Sequence, residues 1–364
     1  MDGGDVGDLY TYCPPAQDSL ITMPMEPPKI ELVSAGPIHA KLRIRGRWAL
    51  PSACSPSRAE RSARTTVSTI TSEVSLIPGL RRIDIHTSVE NLVKDHRLRV
   101  NFPLPYGVEC AAAEGTFEVR SRPIAAPQPV DVAEWAETPV NTFPQKRFVD
   151  VSNGVLGLGI LNRGLPEYEV VQDGHATTSD RSGGQLEVAL TLLRCVEWLS
   201  RNDLATRRGH AGPPEHTPEA QCLGHHEFDY ALVPHSGDWE AEEALVLREA
   251  QAFNTPIRAT VTNQHAGQLS SRATLIEVEP RELVVSAIKR SNSEEGLVVR
   301  VYNPLSRAVE ASLRPGEHLQ RKHLHRAFVA NLQEEPQEER LWSDAEPIHF
   351  GMRSGEILTV LFLP

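Results

Sequence analysis

Apolar residues recur at every second position over long stretches of this chain. In KLRIRGRWAL, Leu42, Ile44 and Trp48 alternate with polar neighbours, and in RRIDIHTSVEN, Ile83, Ile85 and Val89 do the same. A strand sends successive side chains to opposite faces, so this spacing describes antiparallel strands with one face buried and the other wet. The two β-branched runs of TVSTITSEVSLIPGLRRIDIHTSVEN meet at Pro78-Gly79, which predicts a hairpin. More strands are expected in FVDVSNGVLGLGIL, QLEVALTLLR and EFDYALVP. The 28 prolines and 24 glycines, spread along the chain, leave little room for long helices. An all-β fold of stacked antiparallel sheets follows.

One helix is predicted in SGDWEAEEALVLREAQAFNTP, with Asp238 as its cap and glutamates in its first turn. Pro256 ends it, and Val246, Ala250 and Phe253 form a buried stripe. The polar stretch from Gly267 to Arg272 then reads as a boundary. Period-two patterning resumes in GLVVRVYNP, RAVEASLRP and EILTVLFLP. With 364 residues to divide, the expectation is a large β-domain over residues 1–265 and a small β-sandwich over 273–364.

Composition removes several classes of function. A formal net charge of −11 repels phosphate backbones, and no basic stripe with interleaved aromatics is present, so no nucleic-acid partner is expected. No apolar run is long enough for a membrane helix. No secretory leader is visible, which also holds for any chain that starts inside a larger protein, and a cytoplasmic location is expected. Cys13, Cys54, Cys110, Cys195 and Cys222 are odd in number and far apart, and they read as free thiols. A homo-oligomer is a further possible assembly, which the sequence itself does not fix.

Three groupings have chemical potential. In DGGDVGDLYTYCPP, Asp2, Asp5 and Asp8 could hold a cation, line a sugar site or decorate a turn. The spacing lacks the alternating ligands and terminal Glu of a calcium loop, and the glycines favour turns with solvated carboxylates. Glu167 and Glu169 flank Tyr168 and would share a strand face, the bland reading being two solvent-facing glutamates. His210, His216, His225, His226 and His235 form the densest histidine region. Adjacent histidines on a strand point opposite ways, so a metal cluster is not expected there, nor at His323 and His325.

Six stretches in order resemble the C-terminal β-domains of glycoside hydrolase family 38 α-mannosidases. They are DGGDVGDLYTYCPP, ETPVNTFPQKRFVDV, NRGLPEYEV, ALTLLR, RRGHAGPPEHTPEAQC and SAIKRSNSEEGLVVRVYNP, and together they cover nearly the whole chain. The resemblance implies a galactose-mutarotase-like β-supersandwich followed by a small C-terminal β-sandwich. It implies α-mannosides as substrates and an N-terminal catalytic barrel as partner. Zinc, the nucleophile and the acid belong to that barrel, so no catalytic residue, metal ligand or cofactor is expected in this chain. The family's His-x-Asp zinc pair has no counterpart among the 14 histidines. Retaining hydrolysis needs two carboxylates about 5–5.5 Å apart on a rigid frame, and that pair is also the barrel's.

By motif position, Tyr10 resembles the tyrosine that family members show to bound mannose, and Arg194 an arginine near the same pocket. Asp8, beside Tyr10, could bond a sugar hydroxyl. An aromatic ring suits a sugar face and a guanidinium supplies fixed donors. The proline-stiffened loop from Leu204 to Gln221 is expected to rim the substrate cleft or dock on the barrel. The barrel's absence implies an exposed apolar patch where it would dock. The chain alone is expected to hydrolyse nothing. A free-standing carbohydrate-binding module or a mutarotase-like sugar enzyme are the alternative readings.

Overall fold

The computed structural model describes all residues except 125–134, 173–185, 265, 268–270, 293–294, 317–323, 325 and 341–345. His323 and His325 lie outside the described residues. Antiparallel strands dominate, as the alternation requires, and contacts divide the chain into two compact units. The first comprises Met1–Ala113 and Ser121–Trp239, the second Glu114–Arg120 and Glu240–Pro364. No helix among the described residues is long and apolar enough to cross a membrane.

The strands of the first half are β1 (Asp2–Gly4), β2 (Lys29–Gly36), β3 (His39–Pro51), β4 (Thr65–Leu76), β5 (Ile83–Asn91), β6 (His96–Pro103) and β7 (Cys110–Glu114). They continue as β8 (Val119–Pro123), β9 (Thr142–Pro144), β10 (Phe148–Ser152), β11 (Leu156–Asn162), β12 (Glu167–Gln172), β13 (Leu186–Cys195) and β14 (Gly224–Ser236). Two sheets result: one of five strands in the order β1-β6-β13-β12-β9, and one of nine in the order β2-β3-β4-β5-β14-β11-β10-β7-β8. The predicted hairpin is β4–β5, with Ile70 opposite Val89 and Ser75 opposite Asp84. Gly79 turns it at φ +88°, a conformation that costs a residue without Cβ little.

Between the sheets lies the core. Leu98, Tyr168, Val188 and Leu190 project from the smaller sheet, and Val149, Ile160, Phe228 and Tyr230 from the larger. Register decides what the smaller sheet shows outside. Leu98 faces the core, so Arg97 and Arg99 on the same strand face out. On β13 a bulge interrupts the pairing between Thr191 and Leu193, which lets Leu192 and Leu193 both enter the core. The extra residue returns Arg194 to the outer face alongside Thr191, opposite Arg97.

The second unit holds α1 (Ala241–Asn254) and strands β15 (Ile276–Glu279), β16 (Val284–Arg290), β17 (Leu297–Tyr302), β18 (Val309–Pro315), β19 (Arg326–Ala330), β20 (Pro336–Arg340), β21 (Ile348–Met352) and β22 (Ile357–Leu363). They form a three-stranded sheet, β15-β18-β21, and a five-stranded sheet, β16-β17-β22-β19-β20. Val299, Val301, Phe350, Val360 and Phe362 pack between them. In α1 the expected Val246, Ala250 and Phe253 are buried. Its start differs from expectation: the cap falls at Glu240 rather than Asp238, and Glu242, Glu243 and Ala244 are left-handed, so the first turn is not regular helix. It stops at Asn254, with Thr255 extended ahead of Pro256. The second unit thus includes the helix and begins before it, upstream of the polar stretch at Gly267–Arg272.

Candidate substrate-facing site

The site is built from the opening segment. Asp2, Asp5 and Asp8 are all buried rather than solvated, and a buried carboxylate needs a counter-charge or several hydrogen bonds. Each has a different arginine. Arg61 pairs with Asp2, whose other oxygen is 2.6 Å from His96 Nδ1. Arg194 Nε donates to Asp5 Oδ2 at 2.9 Å, and its Nη2 donates to the Asp8 carbonyl at 2.9 Å. Arg207 pairs with Asp8. These are turn carboxylates, with the glycine-rich backbone folded round them. Gly7 N–H donates to Asp5 at 2.9 Å, and the N–H groups of Tyr10 and Thr11 donate to Asp8 at 3.0 and 2.8 Å.

Burial pulls these carboxyls one way and their partners the other. Burial pushes Asp2 up, but His96 and Arg61 overcome it and leave the group below its ordinary value. For Asp8 burial is likewise outweighed, by Arg207 and the N–H groups of Arg201 and Thr11. For Asp5 burial wins over Arg194 and the backbone donors, and the carboxyl is raised.

The turn fixed by Asp8 lifts Tyr10 to the surface. Tyr10 is 54% exposed although its neighbours Asp8 and Thr11 are buried. Its ring lies over Gly212: a Cβ there would sit 2.7 Å from the tyrosine hydroxyl oxygen. Gly212 belongs to the proline-stiffened loop, which packs against the opening segment. Thr206 Oγ1 donates to the Tyr12 carbonyl at 3.3 Å, Arg207 holds Asp8, and the 3-10 turn Pro218–Gln221 closes the loop. Thr11 Oγ1 donates to Glu137 at 2.6 Å.

Tyr12 lies beneath Arg97, whose guanidinium carbon is 3.6 Å from the ring centroid. Burial raises the Tyr12 hydroxyl, so it stays protonated. Arg97 and Arg99 lie beside Glu167 and Glu169 on the same outer face. Arg97 Nη1 is 3.6 Å from Glu167, and Arg99 pairs with Glu169. Thr191 Oγ1 also donates to Glu167 at 2.7 Å. The glutamates share a face as their spacing predicts, but they bind arginines rather than water alone, because β6 sets Arg97 and Arg99 two strands away.

The predicted Asp8, Tyr10 and Arg194 are therefore brought together. Asp8 and Arg194 form the frame, and Tyr10 stands on it. Sequence reasoning missed Arg61, His96, Arg97, Arg99, Tyr12 and Arg207. Only the alternation in HRLRVN, which puts Arg97 and Arg99 on one face, was a usable signal.

No group of three or more metal-ligating side chains is gathered among the described residues. The histidines of the dense region have separate partners: His216 with Glu197 at 2.9 Å, His226 with the Cys222 carbonyl at 2.7 Å, His225 with Glu90 at 2.5 Å and His235 with Asp150 at 2.6 Å.

Two profiles match the chain: the glycosyl hydrolases family 38 C-terminal domain over residues 2–198, and the family's C-terminal beta sandwich domain over 282–360. A protein named "Putative mannosylglycerate hydrolase" from Halalkalibacterium halodurans is 29% identical over 99% of this chain and 37% of its own length. Mouse alpha-mannosidase 2C1 is 25% identical over 65% of this chain and 19% of its own. Among solved structures, an alpha-mannosidase from Enterococcus faecalis superposes with a TM-score of 0.79 at 27% identity, covering 100% of this chain and 38% of that one. The chain thus spans well under half the length of these relatives. Over half of it matches one domain of a single family, with the family's second β-domain following in order, and so the chain belongs to glycosyl hydrolase family 38 as part of its C-terminal β region.

Proposed function

We propose that this region forms the wall of the sugar pocket in an α-mannosidase-type hydrolase, with Tyr10 as the side chain offered to the substrate. On this reading the reaction belongs to a catalytic portion outside these 364 residues, to which the family resemblance assigns zinc and the two reacting carboxylates. What carries the reading is Tyr10 itself: a half-exposed aromatic on a buried frame of paired aspartates and arginines. Such a frame can present the exposed ring to a sugar face and its hydroxyl to a sugar oxygen. Asp8 and Arg194 act through Tyr10, since their polar atoms are already engaged.

The test joins this region to a catalytic portion and measures hydrolysis of nitrophenyl α-mannoside and of mannosylglycerate. Tyr10→Phe is expected to lower kcat/KM about tenfold, the worth of one lost hydrogen bond to substrate, with thermal stability unchanged. Full activity in Tyr10→Ala would remove Tyr10 from the pocket. The 364-residue chain alone is expected to cleave neither substrate with zinc added. Calorimetric titration with mannose tests the carbohydrate-binding module, which Tyr10 alone also permits.

A further inference from the structure

The proline-stiffened loop leaves the smaller sheet at the end of β13 and rejoins the larger one at the start of β14. Its two stems are zipped together. Leu199 N–H donates to the Glu215 carbonyl at 2.8 Å, Thr217 N–H to the Glu197 carbonyl at 2.8 Å and Val196 N–H to the Ala220 carbonyl at 3.3 Å. At the foot of these stems stand two cysteines, Cys195 as the last residue of β13 and Cys222 just ahead of β14. Both are free thiols. One buried side chain holds the two of them: Asn91 Nδ2 donates to Cys195 Sγ at 3.5 Å and to the Cys222 carbonyl at 2.8 Å, while its Oδ1 accepts from Val93 N–H at 3.2 Å.

The two thiols differ in access. Cys195 lies wholly inside the sandwich core, and Cys222 packs against the same core but is only partly buried. Cys222 is also left-handed, at φ 48° and ψ 44°, a conformation that suits glycine better than cysteine. The Cys195 thiol hydrogen-bonds the Cys222 sulfur, which pushes Cys195 up and Cys222 down, and the charges of His226 and His96 lower Cys222 further. An accessible sulfur that ionises beside a buried one that keeps its proton is the arrangement of an attacking and a resolving thiol.

We propose that Cys195 and Cys222 form a thiol–disulfide site, in which a peroxide oxidises Cys222, Cys195 resolves it, and the new bond staples the foot of the loop. The Cys222 thiolate attacks one peroxide oxygen and the O–O bond breaks. The departing hydroxide takes up a proton and leaves as water, and the sulfur, oxidised by two electrons, becomes a sulfenic acid. Cys195 then attacks that sulfur, and its proton leaves with the sulfenic hydroxyl as a second water. Two thiols and one hydrogen peroxide thus give one disulfide and two waters, and a dithiol reductant reverses the change. The stapled loop carries Arg207, the partner of Asp8, and Gly212, beneath Tyr10. That consequence for the sugar-facing ring, though not the site itself, rests on the pocket-wall reading.

The test treats the full 364-residue chain, reduced and freed of reductant, with hydrogen peroxide at neutral pH, blocks remaining thiols with iodoacetamide and maps the peptides by mass spectrometry. The expected product links Cys195 to Cys222, forms at least about tenfold faster than in the same chain unfolded in urea, and disappears with dithiothreitol. Cys222→Ser should leave Cys195 unoxidised, and Cys195→Ser should hold Cys222 as a sulfenic acid that dimedone captures. The linkage should slow amide hydrogen exchange at Leu199 and Thr217 about fivefold or more. Four outcomes overturn the proposal: no such linkage in the folded chain; linkage no faster than in urea; oxidation of Cys195 in Cys222→Ser, which reverses the roles; or unchanged exchange at the stems, which removes the staple. Mapping the wild-type chain needs no variant to fold, and no readout uses Tyr10 kinetics, so this site and the pocket-wall reading can fail separately.

Discussion

Asp8 and Arg207 set opposite charges against each other with almost no contact to water, so removing one leaves the other stranded. Asp8→Asn or Arg207→Met is expected to cost about 3–5 kcal/mol in urea unfolding, and the double variant less than the sum. The sign of the pH dependence separates the aspartates. Asp8 sits below its ordinary value, so its contribution is complete above the unfolded value and lost as pH falls through the folded one. The stability gap between wild type and Asp8→Asn should therefore be full at neutral pH and shrink under acid. Asp5 is raised, so its gap against Asp5→Asn should shrink in the other direction, as pH rises through the folded value. Thermal melts across the acid range check both slopes. The aspartates were legible as turn residues because the glycines stand beside them. Their arginines were not, since the partners lie 59, 189 and 199 positions away.

The strands were the most legible part, because a buried face imposes its period on local sequence. The alternation in KLRIRGRWAL gave β3 and the Pro78-Gly79 turn gave the β4–β5 hairpin. The bulge at Leu192 was not readable: LTLLR alternates imperfectly, and only the fixed register on β6 shows that Arg194 must return to the outer face. The proline-rich loop could be read as a stiff excursion, but not as the support of Tyr10, because that contact is made by a glycine's missing Cβ. Gly212→Ala would push against the tyrosine hydroxyl and ring. As the far end of a flexible side chain it swings aside at little cost, so stability should stay within about 0.5 kcal/mol. Sugar turnover in the joined enzyme should fall as in Tyr10→Ala. Equal activity in wild type and Gly212→Ala would show that the ring's place is immaterial.

The molecule divides along contacts that do not follow one cut in the sequence. A polar stretch marks a break in pattern at Gly267–Arg272, yet the second unit also owns the helix and Glu114–Arg120. Phe117 from that short segment meets Tyr302 edge-on at 5.2 Å, and Glu240 accepts a hydrogen bond from Ser306 N–H at 2.8 Å. A fragment of residues 273–364 lacks both supports. It is expected to keep strand signal in far-ultraviolet circular dichroism, lose near-ultraviolet signal and bind a hydrophobic dye, whereas the whole chain binds little at the same Tyr302 region.

The long reach of the aspartate–arginine pairs has a kinetic consequence. Loops of nearly two hundred residues close slowly, and contacts across them form only after the intervening strands have stacked. During synthesis the first dozen residues emerge long before Arg194 and Arg207 exist to receive them. The platform under Tyr10 is therefore among the last features to lock into place: Asp2 can find Arg61 early, whereas Asp8 waits until Arg207 of the proline loop has been made.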